Sequence, residues 1–192
     1  MATLTADALA GFGSPEQANE LNWNAVVTGT GEALGGYVFH ANKIAADNFT
    51  GGRTLLWFNT SSLTQNAIIE SAKIVHPVIS TSSNANSVTM HLVTHTAPST
   101  TIVTGDYDSG IGSTSFGSVA MSSLSAVTTT DISLNASGIA AINKTGNTAI
   151  AIISNLDKDN TAPTGYNEYV SDRSLFDLVV TYTLQSGSLL FV

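Results

Sequence analysis

The sequence predicts an all-β fold, two packed antiparallel sheets with one short helix, and three observations carry that expectation. Apolar and polar residues alternate with period two in segment after segment. Clusters of Gly, Ser, Asn and Pro interrupt the alternation every ~8–12 residues, as in an antiparallel sandwich. Helical spacing is confined to one short stretch, so the long alternating helices of a parallel α/β sheet are missing.

The elements follow in order. Residues 1–20 read as an N-terminal arm, and strands are expected at 21–28 and 36–41. Residues 53–58 are apolar on both faces, as in a central strand covered from both sides. Across 67–79 the apolar phase runs 67 and 69, then 72 and 74. That slip reads as a bulge near Ser71, with Pro77 marking an edge or the strand's end. Val88, Met90, Leu92 and Thr94 share one face of the next strand, opposite Thr89, His91, Val93 and His95. Further strands are expected at 115–121, 127–134 and 148–154. The helix falls at 136–143, where Asn135 supplies an N-cap and Ile139 and Ile142 lie three apart. In the last strand Phe176, Leu178, Val180, Tyr182 and Leu184 point one way, and Asp177, Thr181 and Thr183 the other. The whole chain, 1–192, reads as a single domain whose residues 185–192 form an apolar tail. The two long connections, 96–114 and 155–174, are where function is expected, unless it lies on a sheet face.

Composition narrows the function. Of 192 residues, 43% are hydrophobic, a quarter are Ser or Thr, and only 10% are charged. An ordinary soluble domain has about 25% charged residues, and intrinsic disorder needs even more charge with fewer apolar residues. Six Lys plus Arg against 14 acids, a net charge of −8, argue against nucleic acid and anionic lipid as partners. With no cysteine there is no disulfide framework, thiol nucleophile, Fe–S cluster or cysteine-liganded zinc. The longest apolar runs, 149–153 and 189–192, fall far below the ~20 residues that cross a bilayer. The start, Met1-Ala-Thr-Leu-Thr-Ala-Asp7, has neither the basic nor the apolar region of a signal peptide. The expectation is a soluble chain assembled in a cytoplasm, or one whose leader is missing. Four Asn-x-Ser/Thr sequons, at Asn48, Asn59, Asn135 and Asn143, are what chance produces in so Ser-, Thr- and Asn-rich a chain.

Few residues suggest chemistry. His91 and His95 have the i, i+4 spacing of a helical zinc site, but four residues of strand span ~13 Å, too far for one ion. They read instead as exposed or interfacial sheet residues, and His40 and His76 sit apart in other strands. Gly29-Thr-Gly31-Glu-Ala-Leu-Gly35 has its third Gly one residue late for a dinucleotide fingerprint and precedes no helix, so a hairpin loop is expected. Neither a phosphate-cradling loop nor a GxSxG elbow is present, and no pair among the 14 acids is singled out, so no enzyme is expected. Asp106 with Asp108, and Asp157 with Asp159, place hard oxygen donors two apart on turning loops, a pattern that calcium takes, although plain solvated Asx turns are the better explanation of it. Structural calcium is the only cofactor considered. Aromatic faces suit sugar stacking: Trp57 reads as core, while Trp23, Tyr107, Tyr166 and Tyr169 read as freer, the three tyrosines being candidate ligand contacts. Leu189, Leu190, Phe191 and Val192 are four consecutive apolar residues, expected to dock on their own sandwich or to pair with a neighbouring subunit.

Residues 53–61 (Arg-Thr-Leu-Leu-Trp-Phe-Asn-Thr-Ser), 67–72 (Ala-Ile-Ile-Glu-Ser-Ala), 131–135 (Asp-Ile-Ser-Leu-Asn) with Gly138, Ile142 and Asn143, and 178–182 (Leu-Val-Val-Thr-Tyr) together resemble the DNRLRE-type β-sandwich modules over residues 36–184. That resemblance implies a jelly-roll-like sandwich serving as a non-catalytic module in extracellular, often carbohydrate-binding, microbial proteins and in phage virion proteins. The chain departs from the pattern at Asn59, commonly Asp, and at residues 155–157, where an Arg is usual, so no binding residue is carried over. The expected function is a structural, adhesive virion surface component, a capsid decoration or fibre subunit, that self-associates and contacts other virion proteins. The alternative is an extracellular carbohydrate-binding module that contacts surface glycans.

Overall fold

A computed structural model describes residues 1–9, 14–35, 39–45, 48–76, 80–81, 88–123, 129–165, 168–170 and 176–185. Its strands are β1 (Ala2–Asp7), β2 (Ser14–Glu20), β3 (Ala33–Gly35), β4 (Phe39–Ala45), β5 (Asn48–Gly52), β6 (Thr54–Asn59), β7 (Ala67–His76), β8 (Ser80–Thr81), β9 (Thr89–Val93), β10 (Gly117–Ala120), β11 (Thr130–Ser133), β12 (Asn147–Ser154), β13 (Glu168–Val170) and β14 (Asp177–Leu184). Three short helices join them: α1 (Trp23–Val27), α2 (Ala136–Ala140) and α3 (Asn155–Lys158).

Eight strands make the sandwich, in the sheets β1-β14-β7-β11 and β10-β9-β12-β6. Taken in chain order, the first pairs with the eighth, the second with the seventh, the third with the sixth and the fourth with the fifth, all antiparallel. This is a long hairpin rolled on itself, the winding of a jelly roll. Leu56, Phe58, Ile74, Met90, Leu92, Ile132, Ile150, Ile152, Leu178 and Val180 fill the space between the sheets. Both sides of the sandwich are closed by backbone bonds: Leu9 donates to the Trp57 carbonyl at 2.8 Å, and Asn135 to the Phe116 carbonyl at 2.7 Å. The expected all-β sandwich is therefore present, and the bulge predicted near Ser71 is too. Thr181 faces Ser71 and Tyr182 faces Ile69, which leaves Glu70 as the extra residue.

Several expectations are corrected. Residues 1–20 are not an arm: β1 adds to an edge of the sandwich through six consecutive register pairs with β14, and residues 14–20 form β2. A third sheet, β3-β2-β5-β4-β13-β8, joins the two expected ones. The connections β1→β6, β7→β9 and β12→β14 supply all its strands. Ser-Pro-Glu-Gln-Ala-Asn-Glu in β2 and Asn-Phe-Thr-Gly-Gly in β5 carry little apolar alternation, so their strands are defined by backbone pairing, with Phe49 of β5 the one large apolar side chain that it buries. Residues 21–28 are not a strand but contain α1. Asn22 caps it by accepting the Ala25 N–H at 2.9 Å, and Trp23 and Val26, three apart, pack with Ala41 and Phe49. Glycines 29, 31 and 35 therefore do not close a simple hairpin. Gly29 and Gly31 connect α1 to β3, and Gly35 is the last residue of β3, which pairs with β2.

The predicted helix at 136–143 is α2, over its first five residues, with the Asn135 side chain accepting from Gly138 N–H at 3.0 Å. Sheet β10-β9-β12-β6 is also buried on its outer face. Leu55, Trp57, Val93, Ala151 and Ile153 meet Ala97, Ile102 and Ile111 of the connection that runs from β9 to β10.

At the start of that connection stands His95, buried rather than exposed or interfacial. Its Nε2 donates to the Leu56 carbonyl at 3.1 Å, its Nδ1 accepts the Ala97 N–H at 3.3 Å, and its ring meets Trp57 edge-on at 4.6 Å. Burial lowers its affinity for a proton below the usual value of 6.5, against an opposing pull from its Leu56 bond and Asp106. Protonation would also turn the accepting Nδ1 into a donor facing a donor. The unfolded chain therefore takes up a proton near pH 6.5 that the folded chain resists, and stability falls as pH drops below that value. Denaturant midpoints at pH 7.5 and 5.5 should show the loss, and His95→Gln should shrink it. His91 is lowered in the same direction by its own partial burial, so His91→Gln measures its share.

Candidate functional site

Arg53 is the centre of the most elaborate polar arrangement among the described residues. It stands between β5 and β6, at the head of a run of buried residues, and its side chain is almost wholly buried. Its Nε and Nη2 donate to the two carboxylate oxygens of Asp157, at 2.7 and 2.8 Å. Nη2 donates also to the Val27 carbonyl and Nη1 to the Tyr107 carbonyl, each at 2.7 Å. The guanidinium lies 4.0 Å from the centre of the Tyr107 ring, a stacked cation–π contact. Burial by itself would make Arg53 easier to deprotonate. The adjoining Asp157 carboxylate overrides that tendency and holds the guanidinium charged.

Each partner arrives on a different element. Asp157 sits in the first turn of α3, where its N–H donates to the Ser154 side chain at 3.0 Å. Tyr107 belongs to a 3₁₀ turn at Thr104–Asp108 inside the β9-to-β10 connection. Val27 is the last residue of α1. Gly31 lets the turn approach: its φ is +87°, and a Cβ there would lie 2.0 Å from the Thr104 carbonyl oxygen. Arg53 thus ties both long connections expected from sequence to carry function, 96–114 and 155–174, to the first turn of helix in the chain.

Beside this knot lies a cavity of about 170 Å³, lined by Val27, Arg53, Asp108, Ile111, Ile153 and Lys158 among others. Arg53 spends four of its five N–H donors on protein acceptors, and both Asp157 oxygens are taken. The arrangement is chemically a clamp, with its charge neutralised inside the protein.

The structure places the other predicted residues as follows. Tyr107 is fully buried, with Arg53 over its ring, so it presents no face to a sugar. Trp23 is buried as well, and its indole N–H donates to the Leu156 carbonyl at 3.2 Å. Tyr169 lies in β13 opposite Phe39, while Tyr166 lies outside the described residues. Asp106 accepts the Val103 N–H at 2.9 Å and the Ser109 hydroxyl at 3.2 Å, so its carboxylate reaches back to the residue that precedes the 3₁₀ turn and no Asx turn forms there. Asp108 borders the cavity, Asp157 belongs to the clamp, and Asp159 pairs with Lys158. Among the described residues no three such groups converge on a point where an ion would sit. His91 bonds the Ser115 hydroxyl at 2.9 Å. Leu189, Leu190, Phe191 and Val192 lie outside the described residues. None of the described helices is long and apolar enough to cross a membrane.

Arg53 itself was not expected. Its signal was available: a charged residue heading the most apolar strand needs a buried counter-charge. No protein family and no curated protein matches this sequence.

Proposed function

We propose that this chain is a non-catalytic structural protein of a virus particle, a capsid decoration or fibre subunit that associates with copies of itself and with other virion proteins. The observation that carries the reading is the rolled order of the eight sandwich strands, since jelly rolls are a recurrent fold of viral capsid and lectin domains. Fold alone hosts many functions, and here the site chemistry favours a structural role over a lectin's. Arg53, Asp157 and Tyr107 are committed to each other in the interior, and Tyr107 offers no stacking surface. The low charge content adds support, because an uncharged surface is cheap to desolvate at a contact.

Sedimentation velocity on the full chain over a range of concentrations tests the reading, together with a glycan array. A concentration-dependent oligomer without glycan binding is expected. A monomer that binds glycans would overturn it in favour of a carbohydrate-binding module.

A further inference from the structure

We infer that an apolar groove at the end of the sandwich opposite Arg53 receives residues 189–192 of a second copy of this chain. The inference rests on the proposal that the chain self-associates, and it names the contact. The groove has a volume of about 310 Å³ and is lined by Ala67, Ile68 and Ile69 of β7, by Ile139 and Ala140 of α2, and by Ile142 and Lys144 beyond it. Six of these seven residues are apolar. Ile68 is 47% exposed and Leu184, opposite Ala67 in the β14–β7 register, is 61% exposed. Lys144 closes one side by donating from Nζ to the Ala67 carbonyl at 2.5 Å.

The position of the groove points to its occupant. Gln185, the last described residue, donates its N–H to the Asn66 carbonyl at 3.1 Å, so the chain leaves the sheet beside Ala67. Ser186, Gly187 and Ser188 then separate this exit from Leu189, Leu190, Phe191 and Val192. An extended segment sends Leu189 and Phe191 to one side and Leu190 and Val192 to the other. One groove covers one side only. Seating the segment between two copies covers both, which a fold-back onto its own groove does not. Because the exit and the groove adjoin, a pair of copies related by a two-fold axis could exchange segments reciprocally, burying the same patch on each.

The test uses full-length chains in sedimentation velocity, with circular dichroism to establish folding. Phe191→Ser is expected to weaken self-association about tenfold or more, the loss of a buried aromatic, and Ile68→Ser to do the same from the groove side. Ile139→Ser replaces Ile68→Ser if the latter misfolds. Mixing the Phe191→Ser chain with the Ile68→Ser chain should restore association in part, because one intact segment then meets one intact groove. If both variants associate as the parent does, this inference falls while the structural reading stands. If the mixture stays apart, the segment docks in its own chain and the exchange is wrong. A parent chain that is monomeric throughout removes the inference and the structural reading together.

Discussion

Arg53→Met is expected to destabilise the fold by about 3–5 kcal/mol, lowering the melting temperature by roughly 10 °C or more. The substitution removes the cation but leaves the Asp157 carboxylate buried without the cation that pairs with it. It also strips the donor from the Val27 and Tyr107 carbonyls, so three segments lose their common anchor. Arg53→Lys should recover little. An ammonium on a flexible stem does not reproduce the two-pronged bond to Asp157 or the planar stacking on Tyr107. The double variant Arg53→Met, Asp157→Leu should be more stable than Arg53→Met alone, because the unpaired charge is gone. Thermal melts of the three variants decide the matter. An Arg53→Met protein within about 1 kcal/mol of the parent would mean the clamp contributes little.

Phe58→Ala should cost a similar amount, about 3–5 kcal/mol, for a different reason. Phe58 is completely buried on the inner face of β6, between the two sandwich sheets, whereas its neighbour Trp57 points outward beneath the β9-to-β10 connection. Truncation leaves a cavity that closely packed neighbours fill only in part, and the cost is shared by the whole sandwich. Denaturant unfolding should show a lower midpoint with an unchanged slope, since the unfolded surface exposed is nearly the same. Trp57→Ala should act more locally, through the loss of the contact that His95 makes edge-on with its ring.

Much of the sandwich was legible because its strands carry apolar residues on one buried face or on both. β7, β9 and β14 fall where alternation places them, β12 where a continuous apolar run does, and the slip in phase marked the bulge at Glu70. α2 was legible from Asn135 and the spacing of its isoleucines. β2, β3 and β5 were not. Their backbone groups are paired, but apart from Phe49 of β5, which packs with Trp23 and Val26, they carry no apolar alternation, and pairing leaves no mark on the identity of a side chain. Residues 21–28 misled because Leu21, Trp23, Ala25 and Val27 alternate as a strand would, while the buried pair is Trp23 and Val26. The N-cap at Asn22 and the pocket formed by Ala41 and Phe49 outweighed the local pattern.

The same division runs through the candidate site. Composition and period by themselves determined an all-β chain with an apolar interior, no cysteine chemistry and two long connections that stood out from the rest, since these depend only on which residues follow one another. Tertiary structure alone decided that Arg53 would reach Asp157 across 104 residues of sequence, and that Tyr107 would be sealed beneath it. A rolled sandwich brings the ends of strands far apart in sequence to one place. Which charges meet there depends on strand order, and strand order is set by the joint packing of the sheets and their connections.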